Sequence, residues 1–325
     1  MQYIVHIGYP KAASTWLQTI LFSGKDPRIQ PLKVNGETII ANHRKSGAAH
    51  FFNEFNSDVL KKSVRLVNPY SFDAKETREA IEKTLPDSGD YTCLSSESWA
   101  GHPLSGGITA RELANRIKET LPNAKILMVI RKQEDMILSA YTYYLTMAGG
   151  LASLKRYLNA DCHDQIPSHS PYYYCYDQSV SYYKSIFGAD NVLALPFELL
   201  SQKGEKEFLS AIYSFLGLTP HEDLPNTDKQ NVSNQLSYAV LRTFPLLNLL
   251  SCAHPANGNA GIGLMSTRNF LIKALGLLFS KKRIQKILDR DKKAMASFIA
   301  PYARPSNQKL QEFMPFNLKE LGYKM

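Results

Sequence analysis

The stretch YIVHIGYPKAASTW, residues 3–16, decides the fold, because it runs from an apolar strand into a helix through a tight turn of small residues. Residues 3–7 are predicted to form a buried strand and residues 14–22 a helix, capped by Ser14 or a neighbour. Strands rich in Val, Ile and Leu that alternate with helices are typical of a parallel sheet with helices on both faces. Further strands are predicted over 91–96, 125–130 and 192–195, and further helices over 74–84, 109–120, 134–147 and 177–186.

The composition is that of an ordinary globular protein with a positive balance of charge. The 325 residues include 38 Lys and Arg against 29 Asp and Glu, which gives a net charge of +9. With 44% hydrophobic and 21% charged residues, disordered and collagen-like chains are excluded. The positive charge favours an anionic partner, although it says nothing about the fold. Four cysteines without a CxxC pair do not form a disulfide framework.

The turn in the opening stretch predicts an anion-binding site. Backbone N–H groups at the start of a helix converge on one point, and the small Ala12 and Ala13 let a ligand approach them. Lys11 adds a mobile positive charge, and the hydroxyls of Ser14 and Thr15 can donate to phosphate oxygens. An ordinary turn with a solvated lysine is the alternative. The motif G-x-x-x-x-G-K-[ST] is missing, which argues against an ordinary ATPase or kinase.

A second junction of strand and helix lies in VIRKQEDMILSAY, residues 129–141. Arg131 stands at the predicted carboxyl end of the strand, and Ser139 follows eight positions later in the helix. A guanidinium fork and a hydroxyl on one side can hold a phosphate distinct from the one at the first turn. Taken alone, Arg131 also fits a salt-bridged residue at a strand end. In a parallel sheet both junctions lie at the carboxyl edge, where ligands bind.

Together the two junctions resemble the sulfotransferases that use 3′-phosphoadenosine 5′-phosphosulfate (PAPS). Family members carry a Tyr-Pro-Lys-small-Gly-Thr-Thr-Trp loop after the first strand, and Tyr9 to Trp16 is similar to it. They also carry an arginine followed eight positions later by a serine, with an aromatic residue nearby in the helix. The resemblance covers residues 3–200. Its further matching residues are Arg131, Ser139 and Tyr141, with Phe197-Glu198-Leu199-Leu200 after the last predicted strand.

A softer match, in Ser306-Asn307 and Leu321-Gly322-Tyr323, is similar to the bacterial carbohydrate-sulfotransferase branch. One position departs from the family pattern, because Ala13 stands where the family has glycine. Alanine would be strained there if the position needed a positive φ. We therefore expect either a right-handed helical turn at Ala13 or a slightly shifted loop.

The resemblance implies a P-loop-like sulfotransferase fold, α/β with a parallel sheet flanked by helices and a helical C-terminal part. It implies in-line transfer of a sulfuryl group from PAPS to a hydroxyl or amine, with release of 3′,5′-ADP and no metal. Lys11 would neutralise charge that develops on the leaving oxygen. The implied nucleotide-binding residues are Lys11, Ala12, Ala13, Ser14, Thr15 and Trp16 at the 5′ end and Arg131 and Ser139 at the 3′-phosphate.

A hydroxyl acceptor needs a general base, and two candidates follow the predicted strand 91–96. Glu97 resembles the glutamate that glycosaminoglycan sulfotransferases place after this strand, and we expect it to be the base. His102 is similar to the histidine that cytosolic small-molecule members use, and it remains the alternative. Without a catalytic role, Glu97 would be a strand-end carboxylate paired with Arg or Lys, and His102 would be an ordinary loop histidine.

The expected acceptor is a carbohydrate or glycolipid, and no nucleic acid partner is expected. A small-molecule or lipid sulfotransferase that uses His102 is one alternative, and a non-catalytic protein that binds nucleotides or polyanions is another. Cys162, His163, His169 and Cys175 match no zinc-site spacing, so no metal is expected.

We expect one domain over residues 1–325, with an α/β nucleotide-binding core in 1–200 and a mostly helical lobe in 201–325. A strand close to the first residue leaves no room for a secretory signal, and no apolar run approaches the roughly 18 residues of a membrane span. A cytoplasmic location is expected, with a possible peripheral membrane contact through the apolar and basic segment 270–286. The oligomeric state is left open.

Overall fold

The computed structural model describes residues 1–34, 37–38, 64, 67–97, 99–146, 148–159, 169–221, 243–248, 271 and 281–325. Five parallel strands form the central sheet, and a short antiparallel pair lies apart from it. The sheet strands are β1 (Gln2–Gly8), β2 (Ile29–Pro31), β5 (Tyr91–Ser96), β6 (Lys125–Ile130) and β7 (Val192–Pro196); the pair is β3 (Lys33–Val34) with β4 (Glu37–Thr38).

The strand order is β2-β5-β1-β6-β7, so β1 lies at the centre between β5 and β6. Ile7 pairs with Ser96 of β5, and Gly8 pairs with Val129 of β6. At the far side, Ile130 pairs with Pro196 of β7. The carboxyl ends of these four strands therefore meet at one edge, and the segments that follow them leave the sheet side by side.

Helices cover both faces of the sheet. The described helices are α1 (Ser14–Ile20), α2 (Ala74–Glu82), α3 (Ala110–Thr120), α4 (Gln133–Thr146), α5 (Leu154–Leu158), α6 (Tyr176–Phe187), α7 (Glu205–Leu216), α8 (Phe244–Asn248) and α9 (Lys281–Gln311). Along the sheet, the connection from β1 to β2 runs in one direction and the connection from β5 to β6 runs in the opposite direction. Because crossovers between parallel strands are right-handed, the helices in these connections, α1 and α3, lie on opposite faces. Trp16 of α1 packs on Phe208 of α7, whereas Tyr182 of α6 donates a hydrogen bond to Asn115 of α3.

The core lies between the sheet and these helices. Ile126, Leu127, Met128, Val129 and Ile130 are fully buried, as a strand covered on both faces requires. The long helix α9 packs against α4 and α6 and carries two prolines within its length. The described residues of 201–325 form helices and turns, with no strand among them.

The predicted parallel sheet flanked by helices is confirmed, and β5 and β6 have the predicted bounds. The prediction missed β2, because its three residues are too few to show a periodic pattern and end in Pro31. Among the described helices, none is long and apolar enough to cross a membrane. Of the segment 270–286, residues 270 and 272–280 lie outside the described part of the chain, so its membrane contact stays a prediction.

Candidate active site

The turn between β1 and α1 is built on two residues with left-handed backbone conformations. Lys11 has a φ of 63° and Ala13 a φ of 62°, and they are the only non-glycine residues with positive φ in the described chain. The expectation of a right-handed turn at Ala13 is therefore wrong, since alanine adopts the conformation that the family glycine would favour. Each such residue costs about 1–2 kcal/mol. Backbone strain of this kind is retained at functional sites where the surrounding structure enforces it.

Ala13 is also the N-cap of α1, and no side chain caps the helix. The sequence predicts that Ser14 or a neighbour caps α1. The cap residue is the neighbour Ala13, but its methyl side chain cannot accept a hydrogen bond, so the predicted side-chain cap is absent. The first N–H groups of α1 therefore lack a side-chain partner and face the turn.

Aromatic contacts anchor the start of the turn to α6. The Tyr9 hydroxyl lies 3.0 Å from Ser179 Oγ, and the Tyr9 ring packs edge-on against Tyr176 with ring centroids 4.9 Å apart. The fully buried Ala12 donates its N–H to the Tyr9 carbonyl at 3.2 Å. These contacts hold the strained backbone in place.

The floor of the turn is crowded around Gly8, the last residue of β1. A Cβ atom at Gly8 would lie 2.7 Å from Ser14 Oγ, 3.2 Å from His6 Cε1 and 3.3 Å from Glu97 Cα. Only glycine therefore lets Ser14 and the end of β5 approach this closely. The sequence analysis missed Gly8, although a glycine at a strand end is a known signal of close approach.

The other residues of the loop differ in where their side chains go. Lys11 and Thr15 are exposed at the carboxyl edge, whereas Ser14 is buried. The Trp16 indole N–H donates to Glu205 at 3.1 Å, and its ring is mostly buried against α7. Trp16 thus fixes α1 to α7 through its side chain.

The structure brings the two predicted anion-binding junctions into direct contact. Arg131 Nη1 donates to the Lys11 carbonyl oxygen at 3.0 Å, across 120 positions of sequence. The Arg131 guanidinium also lies over the Phe197 ring, 5.0 Å from its centroid. Arg131 Nε is buried and has no hydrogen-bond partner among the described residues. Ser139 lies half-buried on α4, two turns after Arg131.

Glu97 follows β5 directly and lies beside the turn. Burial raises the pKa of its carboxyl group above the usual 4.5, while the Lys11 charge and the Ser14 hydroxyl lower that pKa. Ser14 Oγ is close enough to act on the carboxylate, yet it makes no hydrogen bond of good geometry. Lys11 and Ser14 therefore lie close to Glu97 at the carboxyl edge of the sheet.

The His102 side chain caps a turn of the backbone. The Leu104 N–H donates to His102 Nδ1 at 3.2 Å and thereby caps a short 3₁₀ turn, Pro103–Ser105. The neutral ring then carries its proton on Nε2, which leaves that nitrogen a donor. The His102 ring also packs edge-on against Tyr143, with centroids 5.6 Å apart. To act as a base, His102 would have to give up its capping bond.

A cavity of about 390 Å³ lies between α3 and α6, behind the loop that follows Glu97. Six of its lining residues are aromatic, and two of these, Tyr9 and Tyr173, pack against each other with ring centroids 5.3 Å apart. None of the predicted catalytic or nucleotide-binding residues is among its described lining residues.

The four residues weighed as a metal site are only partly described. Cys162 and His163 lie outside the described residues, and the described part of the chain holds no group of three potential ligands. His169 is buried among aromatic rings, which lowers its pKa to about 4.

Comparison with protein families returned one match. A family model described as "Sulfotransferase family" matches residues 4–223, which is more than half of the chain. A comparison with curated proteins found no match.

Solved structures with a similar chain trace include a sulfotransferase from Alicyclobacillus acidocaldarius. It is 17% identical in sequence, the match covers 83% of this chain and 99% of that one, and the TM-score is 0.46. Mouse sulfotransferase SULT7A1 complexed with PAP shows 14% identity, coverage of 96% and 88%, and a TM-score of 0.39. The sulfotransferase domain from the Synechococcus PCC 7002 olefin synthase shows 16% identity, coverage of 83% and 94%, and a TM-score of 0.40. These scores are too low to support an assignment, which rests on the family match.

Proposed function

The chain belongs to the sulfotransferase family, and from that premise we propose that it transfers a sulfuryl group from PAPS to a hydroxyl of a carbohydrate or glycolipid, with release of 3′,5′-ADP. The nucleotide would be held by residues of the 1–200 core. The helical part in 201–325 would support that core from outside.

One observation carries the proposal. The hydrogen bond from Arg131 to the Lys11 carbonyl brings two cationic residues from neighbouring strand ends to one place on the sheet edge. PAPS bears phosphate at both the 3′ and the 5′ position of one ribose, so a protein that binds it needs two adjacent anion sites. An ordinary adenine nucleotide needs only the first.

The groups at the two sites fit a ligand with these charges. Arg131 Nε is a polar atom without solvent contact or hydrogen-bond partner among the described residues. Buried polar groups are usually paired, and unpaired ones therefore point to a missing acceptor. The turn also presents the first N–H groups of α1, which have no side-chain cap.

In the transfer step, the chain would supply positioning and charge neutralisation. Lys11 is exposed at the tip of the turn and is close enough to act electrostatically on Glu97. Its ammonium group would neutralise negative charge on the oxygen that leaves the sulfur. Arg131 and Ser139 would hold the 3′-phosphate, and Ser14 and Thr15 the 5′-phosphate.

Glu97 would take the proton from the acceptor hydroxyl. Burial raises its pKa toward the range in which a carboxylate accepts protons effectively, while the nearby Lys11 charge opposes that rise. His102 is the weaker candidate, because its Nδ1 lone pair is occupied by the Leu104 N–H.

The acceptor class rests on the resemblance of Glu97 and of the C-terminal residues to carbohydrate sulfotransferases. An exposed aromatic surface supports it, since Tyr143 is 39% exposed and packs against His102 five residues after Glu97. Tyrosine rings of this kind stack on sugar rings while donating a hydrogen bond.

The test is transfer of ³⁵S from labelled PAPS to a panel of glycans, glycolipids, phenols and sterols, with Glu97→Gln as the inactive control. Labelled glycan or glycolipid from the wild type alone is the expected result. Labelling of phenols or sterols alone would contradict the acceptor class. Binding of 3′,5′-ADP without transfer to any acceptor would favour the non-catalytic reading instead.

A further inference from the structure

Three consecutive residues at the second anion site are each held by a hydrogen bond from a different element. The Arg131 carbonyl accepts from the Tyr176 hydroxyl of α6 at 2.8 Å, and the Lys132 N–H donates to Glu198 Oε1, after β7, at 3.1 Å. Gln133 Nε2 donates to Asn307 Oδ1 of α9 at 2.7 Å. The backbone that presents the Arg131 guanidinium is therefore fixed from three directions.

The C-terminal residues hold two of these three partners. The Tyr323 hydroxyl donates to Glu198 Oε2 at 2.8 Å, and Asn307 Nδ2 donates to the Lys324 carbonyl at 2.8 Å. Gly322 has a φ of 89°, and a Cβ atom there would lie 3.5 Å from Lys132 Nζ. The tail thus reaches the strand-to-helix junction itself, through a residue whose conformation suits glycine.

Glu198 is the link in this network. The residue is only 2% exposed, and each of its carboxylate oxygens accepts one hydrogen bond, from Lys132 and from Tyr323. Burial raises its pKa, and these two donors lower it. A buried carboxylate that loses one of its donors is left with an unsatisfied oxygen, which is costly. If Glu198 lost the Tyr323 hydroxyl, its carboxylate would therefore reorient, and its bond to the Lys132 N–H would shift as well.

We propose that Glu198, Asn307 and Tyr323 form a C-terminal clamp that positions Arg131 for the 3′-phosphate and so sets the preference of the enzyme for a 3′-phosphorylated nucleotide. The proposal rests on the proposed function, because it assigns the 3′-phosphate to Arg131. None of the clamp residues touches the nucleotide in this scheme. They act through the Lys132 backbone N–H, which donates to Glu198, and through the Gln133 side chain, which donates to Asn307.

The position of the clamp explains why it would affect one end of the ligand more than the other. Its hydrogen bonds end at Lys132 and Gln133, whereas the first turn is held mainly by Tyr9 and its contacts on α6 and meets the second junction through the bond from Arg131 to the Lys11 carbonyl. A looser clamp would therefore weaken the interaction with the 3′-phosphate more than the interaction with the 5′-phosphate. A purely structural role in packing the tail would lower affinity at both ends equally, through loss of folded protein.

The experiment is calorimetric titration of the full chain with 3′,5′-ADP and with 5′-AMP, for the wild type, Tyr323→Phe and Glu198→Gln. Tyr323→Phe keeps the buried ring and removes one hydroxyl. We expect it to weaken binding of 3′,5′-ADP about fivefold and to change binding of 5′-AMP by less than about twofold. Asn317→Ala is the matched control, because Asn317 caps a turn of the same tail through Lys319 and Glu320 and does not contact the clamp. It should change neither affinity.

Hydrogen exchange gives an independent readout without ligand. The Lys132 amide should exchange faster in Tyr323→Phe than in the wild type, while amides of β1 should not change. Equal loss of affinity for both nucleotides, or unchanged affinity for both, would overturn the clamp. A wild type that fails to prefer 3′,5′-ADP over 5′-AMP would instead overturn the proposed nucleotide site, so the two failures are distinguishable.

Discussion

The two candidate anion-binding junctions of this molecule lie in contact, yet they are held in different ways. The first turn owes its shape to local backbone strain, with Lys11 and Ala13 in left-handed conformations and Gly8 beneath them. The second junction has ordinary backbone geometry and is fixed by hydrogen bonds from residues far along the chain. The first brings N–H groups and a mobile ammonium to a ligand, and the second presents a rigid guanidinium fork.

This difference suggests a division of labour between the two junctions. A mobile charge beside the candidate base is suited to the changing charges of a reaction, whereas a fixed fork is suited to recognition of a constant phosphate. Changes at the first turn should therefore affect turnover, and changes at the second should affect which nucleotide binds.

The largest effect is expected for Lys11→Ala. Loss of the ammonium should lower kcat by about a thousandfold, because charge on the leaving oxygen is no longer neutralised. Affinity for 3′,5′-ADP should fall by less than about tenfold, since that product no longer carries the sulfuryl group that is transferred. Steady-state kinetics and calorimetry measure the two quantities, with Lys75→Ala on α2 as the control. Equal losses in kcat and affinity would remove the distinction between the two junctions.

Glu97→Gln should lower kcat by about a hundredfold or more, because the acceptor hydroxyl loses its base. In the wild type the rate should fall with decreasing pH through an apparent pKa above 4.5, the usual value for glutamate, and this limb should vanish in the variant. The raised pKa also means that ionisation of Glu97 costs stability as pH rises, so Glu97→Gln should melt at a higher temperature at pH 7. A full rate in Glu97→Gln and a lost limb in His102→Gln would move the base to His102.

A smaller effect is expected for Gly8→Ala. The added methyl group would lie 2.7 Å from Ser14 Oγ and 3.3 Å from the Glu97 backbone, so the turn has to shift. We expect a loss of stability of about 1–3 kcal/mol and a roughly tenfold weaker affinity for 5′-AMP. Gly204→Ala serves as a contrasting control, because nothing lies within 4 Å of its added Cβ atom and only its φ of 102° is unfavourable for alanine. Normal 5′-AMP affinity in Gly8→Ala would contradict the tight floor of the first turn.

The smallest effect, and one of opposite sign, is expected for Ala13→Gly. Glycine adopts a φ of 62° without the strain that alanine carries, so unfolding should cost about 0.5–1 kcal/mol more. Ala12→Gly is the natural comparison: Ala12 is fully buried with an ordinary φ, and that change should destabilise by a similar amount. Thermal or urea unfolding measures both. A destabilised Ala13→Gly would show that the strain at this position is offset elsewhere.

The sequence predicted those features whose causes lie within a few residues. The apolar strand, the small residues and the helix start stand together in residues 3–16, and the bounds of β6 follow from its apolar run over residues 126–130. Glu97 could be placed beside Lys11 because both follow strands of one parallel sheet. The conformation of Ala13 could not be decided, because the choice depends on contacts of Tyr9 with α6.

The support of the second junction could not be predicted, since its hydrogen bonds join residues that are distant in sequence. Lys132 and Glu198 are 66 positions apart, and Gln133 and Asn307 are 174 apart. Glu198 and Tyr323 were visible only as parts of a family resemblance, with no role attached. A carboxylate directly after a buried strand, at the same edge as Arg131, was the one local signal that could have suggested a partner for that junction.

The most direct measurement is the ratio of the Kd for 5′-AMP to the Kd for 3′,5′-ADP, determined by calorimetry for the wild type, Arg131→Ala and Arg131→Lys. If both junctions bind one nucleotide, the wild type should prefer 3′,5′-ADP by about a hundredfold, Arg131→Ala should lose nearly all of that preference, and Arg131→Lys should retain part of it through its charge. A preference that survives in Arg131→Ala would contradict the shared site, because the 3′-phosphate would then be held elsewhere.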